Sequence, residues 1–295
     1  MDTIRYKAFL SAAELGSIRK AADSLGYTPS AVSQLIQALE RDLNTTLLLR
    51  SKKKLQLTTT GAVLLPYIRQ IVLEEALLLQ TAAGMNGIIR GTINIASYHS
   101  LAASWLPSII LEFHRDYPDI QINIYEGSQN DMIDQLLNGK VELALFNDSA
   151  MKEKHDWILL KETPMVAVIP ADHPMAGKPS FPIQAFNGER FIMTNQGQDY
   201  DVVNYLKQNH VYPDLCLSTL DTYTLVKMVE KGLGIGIVGA ASLLDKENGG
   251  KWESIPIMPA SYAQMGIAVL SLKNISPAVR KFIACAQKVI QAEYP

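Results

Sequence analysis

Two apolar runs in residues 18–43 repeat helical spacing on either side of a three-residue turn, which leaves little freedom in the local fold. Ile18, Ala21, Ala22 and Leu25 stand at i, i+3, i+4 and i+7, and Val32, Leu35, Ile36, Leu39 and Leu43 resume the pattern after Gly26, Tyr27 and Thr28. A period near 3.6 places each set on one helix face. Thr28 is suited to cap the second helix and Pro29 to open it, because a first-turn N–H has no intrahelical acceptor to lose. The pair reads as a helix-turn-helix. Its second helix keeps Ser30, Ser33, Gln34, Gln37 and Arg41 on a polar face, and these side chains can present donors and acceptors to base edges in a major groove.

Amphipathic helix pairs also occur in ordinary cores, so the neighbouring chain decides between the two readings. Residues 47–50 and 55–58 have strand composition and flank Ser51, Lys52, Lys53 and Lys54. With Arg50, these lysines would form a basic wing lying on a phosphate backbone. Charge is unevenly spread as well: residues 1–60 carry nine Lys or Arg against five Asp or Glu, a net +4, although the whole chain is at −2. A basic head on an acidic body points to an anionic partner for the head alone. A membrane surface fits poorly, since the head has no broad apolar face flanked by Lys and Arg.

At this point the chain resembles the LysR-type transcriptional regulators. The likeness rests on GSIRKAADSLGYTPSAVSQLIQALERDLNTTLLLRSKKKLQLTTTG and the LLPYIR that follows, and it continues through RGTINIASYHSLAASWLP, PDIQINIYEGSQNDMIDQLLNGKVELALF and VEKGLGIGIV. The resemblance implies a winged helix-turn-helix head on double-stranded promoter DNA, a dimer helix, assembly into tetramers as pairs of dimers, DNA bending, and a cavity for a small-molecule effector. Two departures stand out. Gln34 and Gln37 occupy groove-facing positions where many members have arginine, and Pro29 replaces a frequent glutamine. Glutamine pairs with adenine, so direct readout is expected to lean towards A·T pairs, with phosphate anchoring on Arg50 and the wing lysines.

Residues 58–86 read as one long helix carrying Leu64, Ile68, Ile71, Leu78 and Ala82 near heptad spacing. It is too apolar to stand in water, so it is expected to pack on a second copy and on its own head. Pro66 removes one backbone donor and predicts a kink, although the resemblance suggests that it is accommodated. Gly84, Gly87 and Gly91 then suggest a hinge. A two-fold dimer would read half-sites about one turn, roughly 34 Å, apart or a multiple of it, hence an interrupted inverted repeat.

From residue 92 strands and helices alternate. Residues 92–96, 120–125 and 141–146 read as apolar strands separated by helical stretches at 101–117 and 131–138. A second set has strands near 165–169, 191–194, 215–218 and 234–238, with helices near 200–209 and 222–231. The pattern predicts an α/β fold: a parallel wound sheet in two lobes, crossed near 161–164 and 263–270 and closed by a helix behind Ser276 and Pro277. This is the two-lobed, periplasmic-binding-protein-like effector domain that the resemblance implies. The expected division is 1–60 for the head, 61–90 for the linker helix and hinge, and 91–295 for the effector domain, with lobe I at 91–162 and 267–295 and lobe II at 163–266.

Ligands of wound sheets bind outside the carboxyl ends of strands, at helix N-termini. That rule selects Ser97, Tyr98, His99 and Ser100 after the first strand, Gly127, Ser128 and Gln129 after the second, and Phe146 and Asn147 at the end of the third; Thr194, Asn195 and Gln196, then Asp221 and Thr222, follow in the other lobe. Ser128 and Thr222 fit helix caps as well as they fit a ligand. No Lys or Arg falls on these loops, so a doubly charged anion is disfavoured, and a single carboxylate held by amides and hydroxyls is the expected effector class.

No cofactor or metal is expected. Cys216 and Cys285 are far apart in apolar segments, which suits a reducing cytoplasm and neither a disulfide framework nor a zinc cluster. Gly232, Gly234 and Gly236 enter a strand instead of linking a strand to a helix, so a dinucleotide loop is disfavoured. No GxSxG elbow, Walker loop or HExxH pair is present, so Ser100 beside His99 is weak support for a nucleophile. The first residues show no signal-peptide pattern and no run of about 18 apolar residues exists, which predicts a cytoplasmic protein with no membrane partner. Two rivals remain: a solute-binding protein, and an enzyme with a helical appendage.

Overall fold

Helix α1 (Thr3–Leu15), α2 (Ile18–Leu25) and α3 (Pro29–Asp42) are delimited by their own caps. Asp2 accepts from the Ile4 amide, Ser17 from that of Lys20 and Thr28 from that of Ala31, each satisfying an orphan first-turn donor. Gly26 closes α2 at φ +70°, where its amide bonds to the Ala22 carbonyl. A Cβ would strain this turn, and without the turn α3 would lose its angle to α2. In this computed structural model the described residues are 2–50, 55–85, 91–147, 155–197, 199–243 and 251–293.

The chain divides into two units, Met1–Ile88 with Asn138–Lys140, and Ile89–Leu137 with Val141–Pro295. In the first, Phe9, Ala21, Ala22, Val32, Ile36, Leu39 and Leu47 form one buried cluster. Strands β1 (Leu48–Arg50) and β2 (Leu55–Leu57) pair antiparallel as a short wing. The Glu40 carboxylate fastens the wing root by accepting from the amides of Leu47 (2.7 Å) and Leu48 (3.1 Å). Helix α4 (Thr59–Met85) then runs continuously through Pro66. It is tied to α1 by Lys7–Glu75 at 2.7 Å and Arg69–Glu14 at 3.0 Å. Hydrogen bonds from Lys7 and Thr3 hold the Glu75 carboxyl below its usual range.

The apolar stripe of α4 splits in two. Leu64 and Ile68 turn into the head cluster, while Tyr67, Ile71 and Leu78 are exposed. Of the hinge expected around Gly84, Gly87 and Gly91, residues 86–90 lie outside the described residues.

The second unit is built on strands β3 (Gly91–Ser97), β4 (Ile120–Glu126), β5 (Leu143–Asn147), β6 (Asp156–Pro170), β7 (Phe181–Pro182), β8 (Arg190–Met193), β9 (Asp214–Ser218), β10 (Ile235–Gly239), β11 (Trp252–Met258) and β12 (Tyr262–Val269). Its helices are α5 (His99–Ser104), α6 (Leu106–Asp116), α7 (Gln129–Leu137), α8 (Tyr200–Gln208), α9 (Thr222–Glu230) and α10 (Pro277–Glu293). The strand order is β4-β3-β5-β12-β6-β10-β8-β9, with β11 on β6 and β7 on β11.

Four details differ from the sequence reading. Parallel pairing holds within each lobe, β3 with β4 and β5, and β8 with β9 and β10, but the centre is antiparallel. The two crossings expected as connections are the interiors of the long strands β6 and β12: β6 pairs with β12 up to Pro164, then with β10 and β11 from Met165 onward. One strand thus serves both lobes. The helical stretch at 101–117 breaks at Trp105 into α5 and α6, because Pro107 sits in the first turn of a new helix. Strands β7 and β11 were not anticipated, since Pro182 and Pro256 interrupt their apolar patterns.

Candidate functional site: the cleft between the lobes and the exposed face of α3

Where β6 changes partners, the lobes enclose a cavity of about 50 Å³. Its polar wall comes from strand ends and helix starts: Tyr98, His99 and Ser100 after β3, Asn147 ending β5, Thr194 and Asn195 after β8, Asp199 and Asp201 opening α8, and Asp221 and Thr222 opening α9. Met165, Val202, Val238 and Met265 supply an apolar floor. At roughly 10–15 Å³ per water-sized occupant, the space suits about four such occupants or a ligand of a few heavy atoms.

Direct hydrogen bonds join the lobes across this cavity. The Gln129 amide donates to Asn195 Oδ1 at 3.2 Å, and Asn147 Nδ2 donates to Asp201 Oδ2. Tyr98 supplies its phenolic proton to Asn147 Oδ1. Burial first, then the charges of Asp199 and Asp201, push the Tyr98 phenol well above its ordinary pKa, so it remains a donor. Its proton fixes the Asn147 amide with oxygen towards Tyr98 and nitrogen towards Asp201. Asp199 accepts from Thr194 Oγ1 at 2.9 Å and caps α8 at the Val202 amide. Burial is the main cause raising its carboxyl, opposed by the Thr194 bond and reinforced by Asp201. Asn195 and Gln196 sit at φ +51° and +55°, a left-handed backbone uncommon for such residues.

In the first unit, α3 buries Val32, Ile36 and Leu39 and leaves Ser30, Gln34, Gln37 and Arg41 exposed, with Ser33 half-buried. The free side is short-chained and amide-rich, with one guanidinium in the last turn. A face of this kind can enter a groove and pair with base edges.

Comparison with known proteins decides the family. The family model described as "LysR substrate binding domain" matches residues 86–291, and that of the "Bacterial regulatory helix-turn-helix protein, lysR family" matches residues 5–62. The chain belongs to the LysR family of transcription regulators. Among curated relatives, the uncharacterized HTH-type transcriptional regulator YvbU of Bacillus subtilis is 28% identical over 294 residues, covering 99% of this chain and 100% of its own. Full-length OxyR from Pseudomonas aeruginosa has a similar structure, with a TM-score of 0.78 at 19% identity, over 99% of this chain and 95% of that one. So does CbnR complexed with its target DNA, with a TM-score of 0.68 at 16% identity, over 98% and 100%. LysR proteins are regulators and not enzymes, and the matched head disposes of a plain solute-binding protein.

For this LysR protein, the cleft gathers Tyr98, His99, Ser100, Asn147, Thr194, Asn195, Asp221 and Thr222. Other expected residues stand elsewhere. Ser97 is buried within β3 and donates to the Tyr98 carbonyl. Ser128 exchanges hydrogen bonds with Asp131 as a cap on α7. Phe146 points into the core against Trp157, with ring centroids 5.4 Å apart. Gln129 lies behind the wall, its Nε2 donating to the Asn147 carbonyl. Ser97 and Phe146 were chosen for position alone, but pleating turns alternate residues away from the strand end.

Asp199, Asp201 and Ser242 also line the cavity and were not anticipated. Asp199 was within reach of the rule, being the cap of a helix that follows a strand end. Gly234 and Gly236 have a packing role: a Cβ on Gly236 would stand 2.8 Å from Leu225 Cδ1 and 3.0 Å from the Ile192 carbonyl oxygen. On the wing, Lys52, Lys53 and Lys54 lie outside the described residues, and for Arg50 only its backbone pairing with Leu55 is described. No described helix is long and apolar enough to cross a membrane.

Proposed function

We propose that this regulator binds an interrupted inverted-repeat operator as a dimer or pair of dimers, and that a small molecule seated between the lobes changes how the assembly holds that DNA. The reading assigns direct base contact to Ser30, Ser33, Gln34, Gln37 and Arg41, and phosphate contact to Arg50, Lys52, Lys53 and Lys54. It takes residues 1–60 as the DNA-binding domain, 61–90 as the linker and 91–295 as the effector domain. Tyr67, Ile71 and Leu78 are 68%, 42% and 68% exposed on α4, which supports a second copy covering them, since isolated apolar stripes of this kind mark association surfaces.

One observation carries the effector reading. The lobes are held by the chain Tyr98–Asn147–Asp201, made of groups that line the cavity itself. A ligand that competes for these bonds has differential affinity for two lobe arrangements, which is what a population shift requires. The hydroxyl and amide groups there are suited to a single carboxylate, but the three aspartates in the same wall weigh against that class.

The test uses Asn147→Ala, which removes the bridge without touching the head. Wild type and variant are titrated onto a duplex that the wild type itself has selected from a random pool, with affinity and bend angle recorded. Coupling of the usual size gives a change of roughly 5- to 150-fold in affinity, or a changed bend. Identical affinity and bend, with amide exchange showing loosened lobes, would refute the effector reading.

A further inference from the structure

We propose that the cleft of this regulator takes a small cation, a primary amine or amidine-type group on a short alkyl body, in place of a carboxylate. The inference rests on the reading of the cleft as the effector site and concerns only what that site selects.

The first ground is the cavity wall. Asp199, Asp201 and Asp221 contribute three carboxylates, and among the described residues no lysine or arginine lines the space. The two adjoining crevices repeat the sign. One, of about 270 Å³, shares Asp221 and adds Glu126; the other, of about 430 Å³, shares Asp201 and adds Glu162. Among the described lining residues the one basic side chain is His99, which is already engaged with Glu126 at 3.0 Å. An anion entering here would meet like charges in a partly desolvated space, whereas a cation would relieve them.

The second ground is independent of net charge. Anion sites in wound folds use free amides at helix N-termini; at α7, α8 and α9 a side chain already occupies a first-turn amide, whereas α5, which opens on the cavity, has no side-chain cap. Asp199 occupies the Val202 amide of α8 and Asp221 the Thr224 amide of α9, while the Ser128–Asp131 pair closes the start of α7. Behind the wall stands one further acceptor. Gln129, only 1% exposed, keeps an Oε1 with no hydrogen-bond partner. A ligand matched to this lining donates hydrogen bonds and carries positive charge, and its alkyl part rests on Met165, Val202 and Val238.

The volume limits the size. About 50 Å³ holds a group of roughly four heavy atoms, so n-propylamine, 1-propanol and propionate are matched probes of opposite or no charge. With an ammonium pKa like that of lysine, about 10.4, the amine is cationic at neutral pH.

The experiment measures thermal unfolding of the full-length chain against concentration of each probe, for wild type, Asp199→Asn and Asp201→Asn. Propylamine is expected to raise Tm in a saturable manner at concentrations where 1-propanol and propionate do nothing. Either substitution should raise the amine concentration needed by roughly 10- to 100-fold, the loss of one charged hydrogen bond. A response to propionate, an equal response to amine and propionate, or no response to any probe would overturn the charge assignment. The wild-type comparison decides the matter even if a variant fails to fold. Titrating the amine against the selected duplex separates the two readings. Amine binding that leaves DNA affinity and bend unchanged removes the effector reading alone, and a carboxylate that binds and alters them removes the cation assignment alone.

Discussion

Leu39→Ala should strongly destabilise the DNA-reading head while leaving the two-lobed unit intact. Leu39 is 0% exposed and belongs to the cluster of Phe9, Ile36 and Leu47 that holds α3 on α1. Three buried carbons at about 0.8 kcal/mol each account for roughly 2.4 kcal/mol of transfer free energy. The unfilled space raises the total to about 3–5 kcal/mol. A unit of this length has about 4–13 kcal/mol at 0.05–0.15 kcal/mol per residue, so the loss is a large fraction of its stability and shifts its midpoint by about 10 °C or more. Gln37→Ala is the matched control, two residues away on the exposed face. It should alter stability by less than about 0.5 kcal/mol and weaken binding to the selected duplex by about 1–3 kcal/mol. Amide hydrogen exchange over α1–α3 and over β3–β12, together with fluorescence anisotropy, reads both quantities. Unchanged protection of α1–α3 in Leu39→Ala, or equal destabilisation by Gln37→Ala, would refute the assignment of the two faces of α3.

Other outcomes follow from single features. Alanine at Lys52, Lys53 and Lys54 together should weaken binding to every duplex and flatten the plot of log affinity against log salt by up to about 0.9 per lysine; an unchanged slope would remove the wing from the phosphate backbone. Gly236→Ala forces a Cβ to within 2.8 Å of Leu225 and 3.0 Å of the Ile192 carbonyl oxygen, so urea unfolding should show a loss of about 1–3 kcal/mol. Asp199→Asn should stabilise the effector unit at neutral pH relative to wild type. Because burial raises the folded-state pKa above its ordinary 3.8, the aspartate's contribution is full below that value and is lost as pH rises through the folded pKa. The advantage of the asparagine variant must therefore shrink on acidification, and an advantage that grows would contradict the burial of this carboxylate.

The head was readable from sequence because its signals are local. The Thr28 cap, Pro29 and the Gly26 turn each act within four residues, and the wing follows directly. The effector unit was readable as alternating elements, but its centre was not, since β6 and β12 owe their length to each other across about a hundred residues of sequence. The cleft shows the same division. Residues at strand ends, such as Ser100, Asn147 and Thr194, were found by position. Asp201 reaches the wall on the first turn of α8, where it accepts from Asn147 of the other lobe, and the charge of Asp199 and Asp201 is the ground for proposing a cation where the loop residues suggested a carboxylate.

The most direct measurement is fluorescence anisotropy, at several salt concentrations, of the full chain on the DNA upstream of its own gene and on a shuffled duplex of equal composition. The account predicts tighter binding to the native sequence at every salt concentration, with affinity for both falling as salt rises. Equal affinity for native and shuffled DNA would contradict sequence reading at this promoter, and no binding to either at low salt would contradict the assignment of α3 and the wing as a DNA-reading surface.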